Sequence, residues 1–367
     1  MQKRFSYKLT NLSWICAVLV VIIHAGTYAA NLPGAELQTV YGMNYATFLQ
    51  LFFTEGICRV AVPLFFLISG YLYYRNYQPG VKWHTDKMQK RLRSNGIPYL
   101  FWSLAVIAVF FVAQLIPATK PYFSSESRDF TRFTLWNWLD AILINPMNSP
   151  LWFLRDLLIL SMISPALTFL LKRLRWIWAG SLFILWIVCV NVPLYVIRWE
   201  SLLFFNAGAL LALHCKERCE QRLSLPKPVL FGILFAWIAL VVAKTFYLCG
   251  LDPKILIDGK YDLVCDLLGK LNILVGIAVV WVSYDAIVIG EGKVIPFAQF
   301  GFLMFVTHHP IIGVIKKLLL KALGISYFTA TISFVAAIIL TVAMVVLSGY
   351  MLKKYLNKLY LLLTGGR

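Results

Sequence analysis

The 367 residues are 60% hydrophobic and only 14% charged, with a mean hydropathy of +0.76, whereas a soluble chain carries roughly a quarter charged residues. Apolar runs of about 20 residues, long enough to cross a bilayer, recur throughout, so the fold class is an all-α polytopic membrane protein. A net charge of +18 would suggest nucleic acid in a soluble protein, but here the basic residues fall in short loops between apolar runs, which reads as a topology signal and argues against nucleic acid.

Ten spans are expected in chain order, at about 12–30, 45–74, 96–117, 150–171, 176–192, 200–214, 228–249, 263–287, 296–320 and 326–351. The second carries Pro63 and Gly70, which predict a bend. Segment 134–145, "TLWNWLDAILIN", is too short to span, and its two tryptophans predict a helix lying at the membrane surface. No polar stretch is long enough for a second domain. The expectation is one membrane domain over 1–367, with a helical core at about 10–351 and short tails. No small-residue cleavage site follows the first apolar run, and no internal repeat is visible.

The seven cysteines are scattered, mostly in apolar runs where they act as small hydrophobes. Cys215 and Cys219 beside His214 lack a second ligand pair, so no metal site is expected. Cys249 and Cys265 flank one loop, and their pairing is left open.

With the N-terminus inside, the inner segments carry 21 Lys and Arg and the outer ones 9. That bias predicts both termini in the cytoplasm. The run "IKKLLLKAL" (Lys316, Lys317, Lys321) is a local exception: either it marks an outward functional surface or the ninth span is misplaced.

Ionisable residues inside spans are costly and usually mark a site. This chain has His24, Glu55, Arg59, Arg155, Asp156, Lys244, Lys270, His308 and His309 in such places. His24 stands about twelve residues into the first span, some 18 Å at 1.5 Å per residue. His308 lies equally far into the ninth span, which enters from the same side. Equal depth fits one shared site, or two separate rings each bonded to a backbone carbonyl. His309 is about 100° round the helix from His308, so the two rings are not expected to face one way. Glu55 and Arg59 can pair at i, i+4, as a structural ion pair or as an anion clamp. Arg155 and Asp156 read as an interfacial pair held by Trp152, and Lys244 and Lys270 as snorkelling lysines.

Five strings occur together and in order: "VVIIHAG", "VAVPLFFLISGYLYYR", "KMQKRLRSNGIPYLFWS", "SPLWFLRDLLIL" and "FLMFVTHHPIIG". Through them the chain, from about 10 to 350, resembles the integral-membrane acyltransferase family three, the bacterial O-acyltransferases of surface glycans. The resemblance implies about ten membrane helices in a bacterial inner membrane. It also implies an acyl-CoA donor from the cytoplasm and a glycan or lipid-linked sugar acceptor. The family's first-span motif places a basic residue eleven positions before a histidine. Here the histidine is His24, but Ser13 occupies the basic position. The resemblance also matches Arg59, Trp152 with Arg155 and Asp156, and His308 before Pro310.

Acyl transfer from a thioester to a hydroxyl needs a base, and histidine, with an ordinary pKa near ~6.5, suits that role. His24 is the candidate base, and Arg59, Arg155 or His308 are candidate donors to the oxyanion. No Ser or Cys in the matched strings makes an obvious nucleophile, so direct transfer from acetyl-CoA is expected. The basic stretch "KWHTDKMQKRLR", with Lys90, Arg91 and Arg93 at its end, is the candidate for the donor's phosphates, or else a topology or lipid-headgroup signal. The competing readings are a secondary transporter or flippase, which buried His and Arg would also serve, and a sensing subunit, which would not need His24. The sequence leaves the oligomeric state open.

Overall fold

The computed structural model describes residues 3–27, 42–123, 129–188, 196–251, 261–288, 290 and 292–367. Tyr28, Cys189 and three of the outer cations, Arg128, Lys254 and Lys260, lie outside them, as do parts of the expected first and fifth spans. The described residues are helical, joined by turns and short irregular stretches.

Among the described residues seven helices are long and apolar enough to cross a membrane, and an eighth crossing arises if a bent pair counts as one. Helix α1 is Lys3–Ala25, α2 Tyr45–Leu51, α3 Ala61–Tyr74, α4 Val81–Arg91 and α5 Ile97–Leu115. Then follow α6 Trp152–Met162, α7 Ser164–Arg173, α8 Trp176–Val188 and α9 Trp199–His214. The last four are α10 Lys227–Cys249, α11 Leu263–Ile287, α12 Gly301–Leu323 and α13 Tyr327–Tyr355.

Three expectations change. The fourth span is not continuous: α6 and α7 meet at 68°. Pro165, in the first turn of α7, lacks the N–H that a continuous helix would bond back to Ser161. The expected sixth span is a helix of 16 residues, shorter than a bilayer requires on its own, and the described part of the fifth is a helix of 13. In the second span the irregularity lies not at Pro63 or Gly70 but earlier, where a π turn (Phe52–Gly56) and a 3-10 turn (Ile57–Val60) interrupt the helix between α2 and α3. Gly70 is instead a packing residue. A Cβ there would come 2.0 Å from the Phe205 carbonyl oxygen, and one at Gly208 would come 2.0 Å from that of Leu67. Small residues on both helices thus let α3 and α9 touch backbone to backbone, the way membrane helices gain packing energy without a hydrophobic drive.

Segment Leu135–Ile144 is a short helix with Leu135 and Trp136 exposed. Cys249 and Cys265 are free thiols buried in one small apolar cluster with Leu51 and Leu248.

One end of the bundle collects polar ties. Asp285 on α11 is ion-paired with Arg4 and, at 2.7 Å, with Lys8 on α1, and it accepts a bond from the Leu223 amide. Glu220 pairs with Arg75 just beyond α3, and Arg367 donates to Ser94 and Asn95 after α4. The N-terminus, the 216–223 turn, the turn after α4 and the C-terminal tail therefore share one end. Lys8 is buried.

Candidate active site

At the far end of α1 the apolar run closes on His24 and Ala25. A helix leaves its last carbonyls without partners, and at membrane depth each must be satisfied within the protein. Lys316 on α12 does this: its Nζ donates to the carbonyls of His24 at 3.0 Å and Gly26 at 2.9 Å. The next residue, Thr27, donates from its amide and hydroxyl to Gln50 Oε1 at 2.9 and 3.0 Å. Two lysines of the run Lys316, Lys317 and Lys321 are thus bonded to backbone carbonyls, and Lys321 is exposed. Lys317 donates to the Tyr122 carbonyl at 2.9 Å, and Lys321 stands 5.5 Å from the Tyr122 ring.

So held, His24 lies against α12. Its ring centroid is 5.3 Å from that of His308 and 5.0 Å from that of His309. Of the two readings open for His24 and His308, a shared site or separate rings bonded to backbone carbonyls, the structure has features of both: the rings meet, and His308 also bonds backbone carbonyls. The expectation that His309 faces elsewhere is not: it stands edge-on to His24, because His24 sits against the seam between the two α12 positions. The depth argument also needs adjusting, since α1 begins at Lys3 rather than near 12 and His24 is its penultimate residue.

The three rings differ in environment. His308 is fully buried, while His24 and His309 are partly exposed. His308 Nδ1 lies 2.9 Å from the Met304 carbonyl oxygen and 2.8 Å from that of Phe305. Carbonyls only accept, so Nδ1 carries the proton, and Nε2 of the neutral ring is an acceptor. That Nε2 is buried with no hydrogen-bond partner. A buried acceptor left unpaired costs desolvation energy and is rare in a purely structural position.

Pro310, inside α12, cannot bond back to the Val306 carbonyl. Asn148, just before α6, supplies the missing donor, with Nδ2 2.8 Å from Val306 O. The turn that carries His308 and His309 is thus completed by a side chain from another segment.

The second span approaches from the other side. Glu55 lies in its π turn and Arg59 in the 3-10 turn that follows, and Arg59 Nε donates to Glu55 Oε2 at 2.9 Å, with a second guanidinium contact to Oε1. Glu55 is buried, whereas the Arg59 side chain is 38% exposed. Arg59 and Lys316 both lie within electrostatic reach of His24. Carbonyls released by the π turn find donors elsewhere: Lys244 Nζ bonds Glu55 O at 2.8 Å, and Asn272 Nδ2 bonds Gly56 O at 2.9 Å. Lys244 therefore does not snorkel. Nor does Lys270, which pairs with Asp266 and donates to Ile187 O at 3.2 Å.

Arg155 is committed locally. Its guanidinium donates to Asp156 Oδ1 at 3.1 and 2.8 Å and to the Ile144 carbonyl. Asp156 is fully buried and also accepts from Ser201 at 2.5 Å and from the Arg198 amide at 3.2 Å. This is an internal knot joining α6 to α9, not a surface pair. Trp152, expected to hold it, has the Arg198 guanidinium over its ring at 3.7 Å instead.

Lys90, Arg91 and Arg93 lie at the opposite end, at the close of α4 and in the turn after it. Lys90 and Arg93 are exposed, and the Arg91 guanidinium stands 5.7 Å from the Tyr73 ring centroid. Ser13, in the position of a basic residue, bonds back to the Leu9 carbonyl at 2.8 Å.

The family model described as an acyltransferase domain matches residues 7–353. The succinoglycan biosynthesis protein ExoH of Rhizobium meliloti (strain 1021) is 28% identical over 372 residues, covering 97% of this chain and 93% of that protein. No solved structure matches.

Proposed function

The chain belongs to the membrane acyltransferase 3 family, and on that premise we propose that it carries an acetyl group from cytoplasmic acetyl-CoA to a hydroxyl of a cell-surface or lipid-linked glycan. The relative's name, which refers to succinoglycan biosynthesis, supports a glycan acceptor. The observation that carries the reading is the packing of His24 between His308 and His309, with Arg59 close by.

In this mechanism His24, partly exposed and so open to a hydroxyl, takes the acceptor's proton. The alkoxide oxygen attacks the thioester carbonyl. Arg59, half-exposed and always charged, donates to the tetrahedral oxyanion. The intermediate collapses, the C–S bond breaks, and the leaving thiolate recovers the proton from His24. His308 supports the base rather than the oxyanion, because its neutral ring has no proton on Nε2 to give. Arg155 holds α6 against α9 and acts on the site only through that packing.

The donor's phosphates are met by Lys90, Arg91 and Arg93, since Ser13 brings no charge to the first helix. The protein is one domain in a bacterial inner membrane, with both termini and the 82–93 segment in the cytoplasm. The charge bias and the clustering of the tails and the turn after α4 at one end support that orientation. No metal takes part.

Purified protein incubated with radiolabelled acetyl-CoA and a membrane glycolipid fraction tests the reading. Label should appear in the glycolipid, or CoA be released by slow hydrolysis when no acceptor is present. Glycolipid movement across vesicles with neither outcome would instead favour a flippase.

A further inference from the structure

The lysine run in the ninth span has no part in the chemistry described above, yet Lys316 is buried, 7% exposed, among apolar helices. A buried ammonium is ordinarily matched by a carboxylate. Among the described residues Lys316 has none within ion-pairing distance, and its hydrogen bonds run to two backbone carbonyls. One of those carbonyls belongs to His24 itself.

Its placement is selective. Lys316 lies seven residues beyond His309, a rotation of about 700°, so the two share one face of α12 to within about 20°. One stripe of α12 therefore touches the His24 ring through His309 and the His24 backbone through Lys316. A lone C-terminal cap could come from any neighbouring helix. Here it comes from the helix that carries the other two rings, which locks the base and its neighbours into one rigid unit.

We propose that Lys316 is a positioning residue for the acyl transfer: by bonding the His24 and Gly26 carbonyls it fixes the end of α1, and with it the His24 ring, against the His308–His309 turn. The proposal rests on His24 being the base. A misplacement of ~1 Å at a reacting group costs about 10²-fold in rate. Loosening the end of α1 should therefore slow turnover and leave donor and acceptor recognition intact.

The test compares Lys316→Met, Lys316→Gln and Lys316→Arg in purified, folded protein, each scaled to its monodisperse fraction and set beside His24→Ala. Lys316→Met, which keeps the apolar stem and loses the donors, should lower kcat about 10- to 100-fold with KM for acetyl-CoA within about two-fold. Lys316→Arg, which keeps both charge and donors, should restore most of kcat, and Lys316→Gln should lie between. If Lys316→Met fails to fold, the same ranking of Gln below Arg supports the proposal, and equal kcat in those two refutes it. Wild-type kcat in folded Lys316→Met, with His24→Ala inactive, would make the lysine a simple tether and overturn the proposal alone. Activity in His24→Ala would overturn the underlying assignment of the base.

Discussion

The sharpest energetic prediction concerns Asn148 and Pro310. Pro310 leaves the Val306 carbonyl without its helical partner, and Asn148 Nδ2 replaces it at 2.8 Å in a fully buried position. Replacing Asn148 by Leu, of similar size, strands that carbonyl. An unsatisfied buried polar group costs about 1–3 kcal/mol, although hydrogen bonds in membrane proteins average nearer ~0.6 kcal/mol. Asn148 Oδ1 is itself buried without a partner, so removing it returns part of the loss. The expected net cost is about 1 kcal/mol. Pro310→Ala restores an amide that can bond Val306 O directly, so Asn148→Leu should cost almost nothing in that background. Reversible unfolding in mixed micelles, measured for the wild type, both single variants and the double variant, gives the coupling energy. A coupling of about 1 kcal/mol is expected, and additivity within ~0.3 kcal/mol would refute the account of this turn.

Neutralising Lys90, Arg91 and Arg93 together should raise KM for acetyl-CoA at low salt and matter less at high salt, where phosphate contacts are already screened; an unchanged KM at both would leave the segment with topology alone. In a background without exposed thiols, cysteines at exposed Thr85 and Lys358 should resist an impermeant reagent added to intact cells, whereas one at exposed Ser326 should react; labelling of the first two would reverse the orientation. Burial alone would raise the Glu220 carboxyl, but hydrogen bonds from Arg75 and Tyr71 outweigh it and hold the group below its ordinary value of 4.5. A carboxyl lowered in the folded state stabilises the fold above that ordinary value, and the contribution fades as pH falls through the lowered one. Unfolding curves across that acid range should therefore be steeper in pH for the wild type than for Arg75→Met, and equal slopes would contradict the pairing.

How much of this could be read from the residues depends on range. The second span's limits of 45–74 follow from composition, and the structure places one helical span over Tyr45–Tyr74 with the two irregular turns inside it. The meeting of His24 with His308 does not follow from the residue count, which starts the first helix near 12 where α1 begins at Lys3; it comes from the packing of α1 on α12. What escaped the sequence are devices whose partners lie far away in the chain. The π turn at Phe52–Gly56 has no breaker residue at its start, and it is stabilised by Lys244 and Asn272, about two hundred positions on. Asn148 looked like an ordinary turn residue, and only the carbonyl freed by Pro310 gives it a purpose. Asp285 carries no local sign of its role, because the cations that pair with it, Arg4 and Lys8, lie at the other end of the chain. Helical geometry separates His308 and His309 on their own helix, but a third ring at the seam can touch both. Local cues were also weak at the fourth span, where a single proline, Pro165, sits at a 68° break that hydropathy alone smooths over.

The central claim is that His24 takes the proton from the acceptor. The most direct measurement is single-turnover acetyl transfer by folded His24→Gln and His24→Ala, across a pH series, at saturating acetyl-CoA. Gln can hydrogen-bond but cannot accept a proton near neutrality. The account predicts that both variants lose about 10²–10⁴ in rate and that the rate that remains grows with rising pH as hydroxide takes over the base's task. Near-wild-type turnover in His24→Gln would contradict it and move the base to another ring of the cluster.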